Sequence, residues 1–111
     1  MDNRDKIILS KILREIEEFD EIVLNSSFES FLDDKKTQLA AGMLLINIGE
    51  LANHLTKKFK EETKEIPLYE IIAMRHHAAH GYRELKPKII WTTLKEDIPK
   101  LKQDITKLLG K

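Results

Sequence analysis

Ten consecutive residues, Met74-Arg75-His76-His77-Ala78-Ala79-His80-Gly81-Tyr82-Arg83, hold three of the four histidines, two arginines and one of the two tyrosines. Met74, Ala78 and Ala79 are the only apolar side chains among them, so the stretch is not a plain core segment. Imidazole exchanges protons near neutral pH, and a guanidinium holds phosphate through paired N–H groups. Phosphodiester chemistry needs both. To cleave RNA, a base takes the proton of a 2′-hydroxyl, which attacks the adjacent phosphate, and an acid protonates the departing 5′-oxygen. An arginine aimed at the non-bridging oxygens stabilises the charge that builds between those steps. The competing reading is a polar helix end carrying surface histidines.

Two other readings fit the same residue types. His76 and His80 are four apart and could share a metal on one helix face. The zinc-protease pattern, however, places Glu beside the first histidine, and here His77 stands there. A third ligand would have to come from His54 or from an acid on another helix. The ligand set is incomplete, so neither a metal nor any other cofactor is expected. The last reading is a non-catalytic helical module that binds a nucleotide or a protein partner. Alanine at Arg75 and His80 separates these classes, because only an enzyme loses cleavage while folding survives.

The elements that must position this stretch are helical. Leu9, Ile12, Leu13, Ile16, Phe19 and Val23 fall at amphipathic spacing over residues 4–24, with Glu15, Glu17, Glu18, Asp20 and Glu21 as a solvated face. Asn25-Ser26-Ser27 ends this helix and can cap a short turn holding Phe28, Phe31 and Leu32. Asp33-Asp34 opens a long helix expected to run to about Lys60. That helix is apolar on two sides: Leu44, Ile48, Leu51, Leu55 and Phe59 form one stripe, and Leu39, Met43 and Ile46 begin another. A helix so patterned is either central to a bundle or shared with a partner. Gly42 and Gly49 lie on one face and permit close approach of a second helix. Asn47 and Glu50 stand out as polar groups in this apolar segment. They are either hydrogen-bonded structural groups, or Glu50 reaches the motif and orients a histidine or the arginine.

Glu61 to Glu65 forms a polar connector, and Pro67 suits the first turn of a third helix that stops at Gly81. Arg75 and His80, five residues apart, stand about 140° apart around such a helix. They share a cleft only if the helix loosens at its end or two protomers contribute. Lys86-Pro87 begins a fourth helix with Ile89, Ile90 and Leu94 inward and Trp91 in the core or along a cleft wall. Asp97 is expected to cap the last helix, with Pro99 in its first turn and Ile98, Leu101, Ile105 and Leu108 as its stripe. No stretch alternates with β period and none repeats. The expectation is an all-α, four- to five-helix up-and-down bundle forming one domain over residues 1–111.

Composition narrows the classes further. The 111 residues carry no cysteine, which removes disulfides and thiolate metal sites, and no apolar run approaches the ~18 residues of a membrane span. The start Met-Asp-Asn-Arg-Asp lacks a signal peptide's basic and apolar regions, so a cytoplasmic protein is expected. Net charge is zero, which argues against a coating nucleic-acid binder. Its distribution is uneven: residues 1–34 hold four Lys/Arg against ten Asp/Glu, and the remainder hold fifteen against nine. Around the motif, Arg75, Arg83, Lys86 and Lys88 face only Glu84, a locally basic site that suits a selective nuclease.

Arg75, four residues, His80, one residue, Tyr82 reads as R-x4-H-x-Y and resembles the signature of the HepT-like toxins of the HEPN superfamily. Ile48-Gly49-Glu50-Leu51-Ala52 is similar to that family's IGE segment. Ile90-Trp91 with Asp97-Ile98-Pro99-Lys100-Leu101 resembles its C-terminal VW and DLPxL run. These markers cover roughly residues 43 to 109. His76 departs from the polar residue, commonly Asn, that follows the motif arginine in the family. The resemblance implies a HEPN-like bundle and a metal-independent endoribonuclease that pairs as a homodimer, with motifs facing each other across one cleft. On that basis His80 is the expected acid/base and Arg75 the phosphate clamp. His76 or His77 would serve as a second proton carrier and Glu50 as a supporting group. The resemblance also implies an antitoxin partner, an MNT-type nucleotidyltransferase, that silences the toxin by attaching AMP to Tyr82.

Overall fold

The computed structural model describes the backbone of residues 1–80 and 86–111, and their side chains except those of Ile22 and residues 77–80. Among these residues there is no strand, and the helical elements are α1 (Asn3–Leu24), α2 (Phe28–Leu32), α3 (Lys35–Asn53), α4 (Lys57–Glu62), α5 (Leu68–His80), α6 (Pro87–Thr92) and α7 (Ile98–Leu108). Helices α6 and α7 are joined by a π-helical turn, Thr93–Asp97, so the C-terminal region forms one long rod. The four long rods are the expected all-α bundle, with α2 and α4 as short splints.

Helices α1 to α4 each start where a side chain satisfies free N–H groups. Asp2 accepts from Arg4 N–H, Ser27 forms a reciprocal capping box with Ser30, and Asp34 accepts from Thr37 N–H. The α1 stripe Leu9, Ile12, Leu13, Ile16 and Phe19 is buried as its spacing requires, each fully buried member stabilising the fold by about 1.5–3 kcal/mol. Across from it lie Leu44, Leu45 and Ile48 of α3, and Leu101 and Ile105 of α7. Phe31 is fully buried against the ring of Trp91, whose outer face lies under Lys95 Nζ, so Trp91 is a core-wall residue.

Three expectations are corrected. The long central helix does not reach Lys60: α3 stops at Asn53, and Thr56 caps the separate α4 by accepting from Phe59 N–H. Asp5, buried on α1, fixes this break by accepting from the Thr56 N–H at 2.8 Å and its hydroxyl at 2.7 Å. The apolar period nonetheless continues across it, since Leu55 and Phe59 are both buried. Asp97 is no cap. Its backbone stays helical, its side chain makes no capping bond, and the π turn carries the chain past Pro99, which has no N–H to give. Ile89 is exposed rather than inward, while Ile90 and Leu94 are buried. The expected stop at Gly81 lies outside the described residues.

Candidate active site

The seam between α3 and α5 carries the described part of the motif. A methyl group on Gly49 would overlap Arg75 Cβ and crowd the carbonyl of Ile71, so the two helices meet there at a distance only glycine permits. The approach places Glu50, the next residue along α3, beside Arg75. Arg75 Nη1 donates to Glu50 Oε1 at 3.0 Å. The Arg75 side chain is 29% exposed and that of Glu50 52%, so the pair lies at the surface with its heads in water. Such a pair contributes less than about 1 kcal/mol to stability. Its consequence is geometric: one terminal nitrogen is held, orienting a planar fork of five donors.

Of the residues singled out in sequence, Arg75 and Glu50 are brought together and His76 is exposed one position beyond Arg75. Position 80 closes the last turn of α5. Because α5 is α-helical throughout, positions 75 and 80 keep their separation of about 140° around one axis. The side chains of His77 and His80, and all of Tyr82, lie outside the described residues. His54 sits at the C-cap of α3, and among the described residues no three His, Cys, Asp or Glu side chains form a metal-holding group. Asn47 takes the structural reading, its Nδ2 donating to Glu15 Oε2 at 3.4 Å between α3 and α1.

The second stripe of α3 remains open. Leu39 and Met43 are exposed and Ile46 is half-buried, and by register these positions lead directly to Glu50 on the same face. A cavity of about 120 Å³ lies on the other side of α5, lined among others by Ile48, Ile71, Met74 and Leu101. Neither Arg75, Glu50 nor His76 lines it, and the Arg75–Glu50 pair is instead open to solvent. No helix among the described residues is long and apolar enough to cross a membrane.

Comparison with known proteins places the chain in a family. The family described as "Ribonuclease HepT-like" matches residues 12–108. A protein of Thermococcus cleftensis named "Probable ribonuclease HepT" is 39% identical over 108 residues, spanning 97% of this chain and 98% of its own. A protein of Caldanaerobacter subterraneus subsp. tengcongensis named "Putative RNase TTE0752" is 36% identical over 103 residues, spanning 93% of this chain and 92% of its own. No solved structure matches the chain. With the family match covering nearly the whole bundle and the motif at its α3–α5 seam, the chain belongs to the HepT-like ribonucleases of the HEPN superfamily.

Proposed function

We propose that the protein is a metal-independent endoribonuclease, the toxin of a HEPN/MNT toxin–antitoxin pair, acting as a homodimer. The observation that carries this reading is the held guanidinium of Arg75, fixed at the surface by Glu50 beside the Gly49 crossing. Arg75 binds the scissile phosphate and stabilises its developing charge. His80 transfers protons, with His76 or His77 as the second carrier. The 2′-oxygen attacks phosphorus after losing its proton, and the 5′-oxygen leaves with a proton gained. The products are a 2′,3′-cyclic phosphate and a 5′-hydroxyl end.

The unbroken α5 favours a dimeric site. Positions 75 and 80 face about 140° apart in one protomer, so two protomers facing each other supply what one cannot. The open stripe Leu39, Met43 and Ile46 leads to Glu50 and gives such a partner an apolar seat. Silencing follows the resemblance: AMP attached to Tyr82 adds a negative phosphodiester within two residues of His80, where it competes with RNA for the arginine clamp.

The test is cleavage of a defined RNA in EDTA by wild type and His80→Ala, with end-group analysis and sedimentation. Expected are EDTA-resistant cleavage by a dimer, cyclic phosphate ends, and loss of activity in the variant without loss of folding or pairing. Cleavage abolished by EDTA and restored by zinc overturns the metal-free chemistry in favour of a His76/His80 site. Absence of cleavage in the wild type leaves the non-catalytic binding module. Intact mass after incubation with an MNT-type nucleotidyltransferase, ATP and magnesium tests the modification. A gain in multiples of AMP that persists in Tyr82→Phe removes Tyr82 as the site.

A further inference from the structure

Of the seven aromatic residues, five are placed by packing: Phe19, Phe31 and Phe59 are buried, and Phe28 and Trp91 lie ring against ring. Tyr82 lies outside the described residues. Tyr69 differs from those five, being 65% exposed in the first turn of α5. Its neighbours hold it in place, because Ile66 and Leu68 are both buried and anchor the start of the helix. A single exposed aromatic is ordinary by itself. Its register is not.

Counting 100° per residue, positions 69, 73, 76 and 80 fall within about 60° of one another on α5. Tyr69, Ala73 and His76 are all exposed, and position 80 extends their line to the motif histidine. Arg75 stands about 120° away from this line, on the side facing α3. The line is therefore an aromatic ring, then a flat step at Ala73 with no bulk to block a chain, then His76, with position 80 beyond it in register. From position 69 to position 80 the helix rises about 16 Å, the length of a few stacked nucleotides at ~3.4 Å each.

We propose that Tyr69 is a base-stacking subsite for single-stranded RNA, holding an unpaired base a few nucleotides from the bond cut at the motif. This rests on the ribonuclease reading. The ring offers a π-face to any base, so it sets the register and length of RNA engaged, not one sequence. A rigid helix fixes its distance from the histidines, which a loop would not.

The test uses full-length protein and a series of single-stranded oligoribonucleotides around one cleavage site, each carrying one abasic position, plus the minimal dinucleotide. Tyr69→Ala is expected to lower kcat/KM on the long substrates about 5- to 100-fold, the range base stacking gives on alanine substitution. The dinucleotide, which cannot reach residue 69, should be cut as by wild type. Tyr69→Phe and Tyr69→Trp should restore the long-substrate rate, and Tyr69→Leu should not. One abasic position should slow the wild type and leave Tyr69→Ala unaffected, since the ring and that base act as a pair. Equal rates for wild type and Tyr69→Ala on every substrate overturn the subsite while leaving the nuclease standing. Equal losses on long RNA and dinucleotide, accompanied by dissociation in sedimentation, overturn it in favour of a protomer contact. Failure of the wild type to cut any substrate removes the ribonuclease reading beneath it.

Discussion

The ion pair joining α1 to α7 and the one joining α3 to α5 resemble each other in outline. Lys102 Nζ donates to Asp20 Oδ2 at 2.6 Å, and Arg75 Nη1 donates to Glu50 Oε1 at 3.0 Å. Both are surface pairs worth less than about 1 kcal/mol to the fold. What surrounds them differs. The Lys102–Asp20 pair straddles helices already joined by the buried Ile16, Phe19, Leu101 and Ile105, and closes their seam. The Arg75–Glu50 pair stands where two backbones approach so closely that Gly49 cannot carry a side chain. Glycine within a helix costs about 1 kcal/mol relative to alanine, so the second pair sits in a setting that costs as much as the pair returns. Lysine presents a point charge, and arginine a planar fork matched to phosphate. On the proposed reading the first pair closes a seam and the second positions the guanidinium.

The largest expected effect separates the two arginine and lysine partners. Arg75→Ala keeps the Cβ that packs on Gly49 and removes the fork. Cleavage should fall about 10²–10³-fold, the cost of losing one donor to transition-state charge. Its melting temperature should stay near that of wild type. Lys102→Met should leave cleavage unchanged. Single-turnover rates and thermal melts on both variants check this, and a Lys102→Met protein that loses cleavage while remaining folded breaks the comparison.

Next in size is Gly49→Ala. Helix propensity favours alanine by about 1 kcal/mol, but overpacking typically costs 1–3 kcal/mol. A net loss of about 1 kcal/mol is therefore expected by denaturant melts. Cleavage measured where the variant is folded should fall well beyond that, because the methyl group displaces Arg75 itself. A stabilised variant with full activity would show that the close approach has no part in the site.

Sequence alone carried much of this. The α1 stripe and the caps at Ser27 and Asp34 were legible because apolar spacing and capping residues act locally. So was the close approach at Gly49, since a glycine inside an apolar helix has few other uses. The break after Asn53 was not, because Leu55 and Phe59 keep the apolar period while a distant carboxylate, Asp5, holds Thr56 out of the helix. The signal available was Thr56 itself, a capping residue within the pattern. Asp97 misled for the opposite reason: a capping residue before Pro99 looks like a helix start, and a π turn left the chain helical through it. Arg75 and His80 could be singled out by type and spacing, whereas for Glu50 the sequence left open a structural group or a partner of a histidine or the arginine, and the fold pairs it with Arg75. Tyr69 gave no signal, since one exposed ring interrupts no period.

The smallest expected effect is the one that tells the two pairs apart most directly, through pH. The hydrogen bond to Asp20 is the main cause that raises the Lys102 ammonium above the ordinary lysine value of 10.5, with Asp20 and Glu17 charge adding to it and partial burial opposing. A group whose folded value is raised contributes stability that is fully present below the unfolded value and is lost as pH rises through the folded one. The contribution of Lys102 should thus be complete at neutral pH and fade only above about pH 10.5. Arginine does not deprotonate in that window, so the Arg75–Glu50 pair should persist where the lysine pair dissolves. Thermal melts of wild type, Lys102→Met and Arg75→Ala between neutral pH and the alkaline limit of folding provide the measurement. The gap between wild type and Lys102→Met should shrink across the upper end, while the gap between wild type and Arg75→Ala stays flat. A Lys102→Met gap that is constant with pH would mean that the pair contributes packing alone, and an Arg75→Ala gap that closes there would place a titrating partner other than Glu50 on the guanidinium.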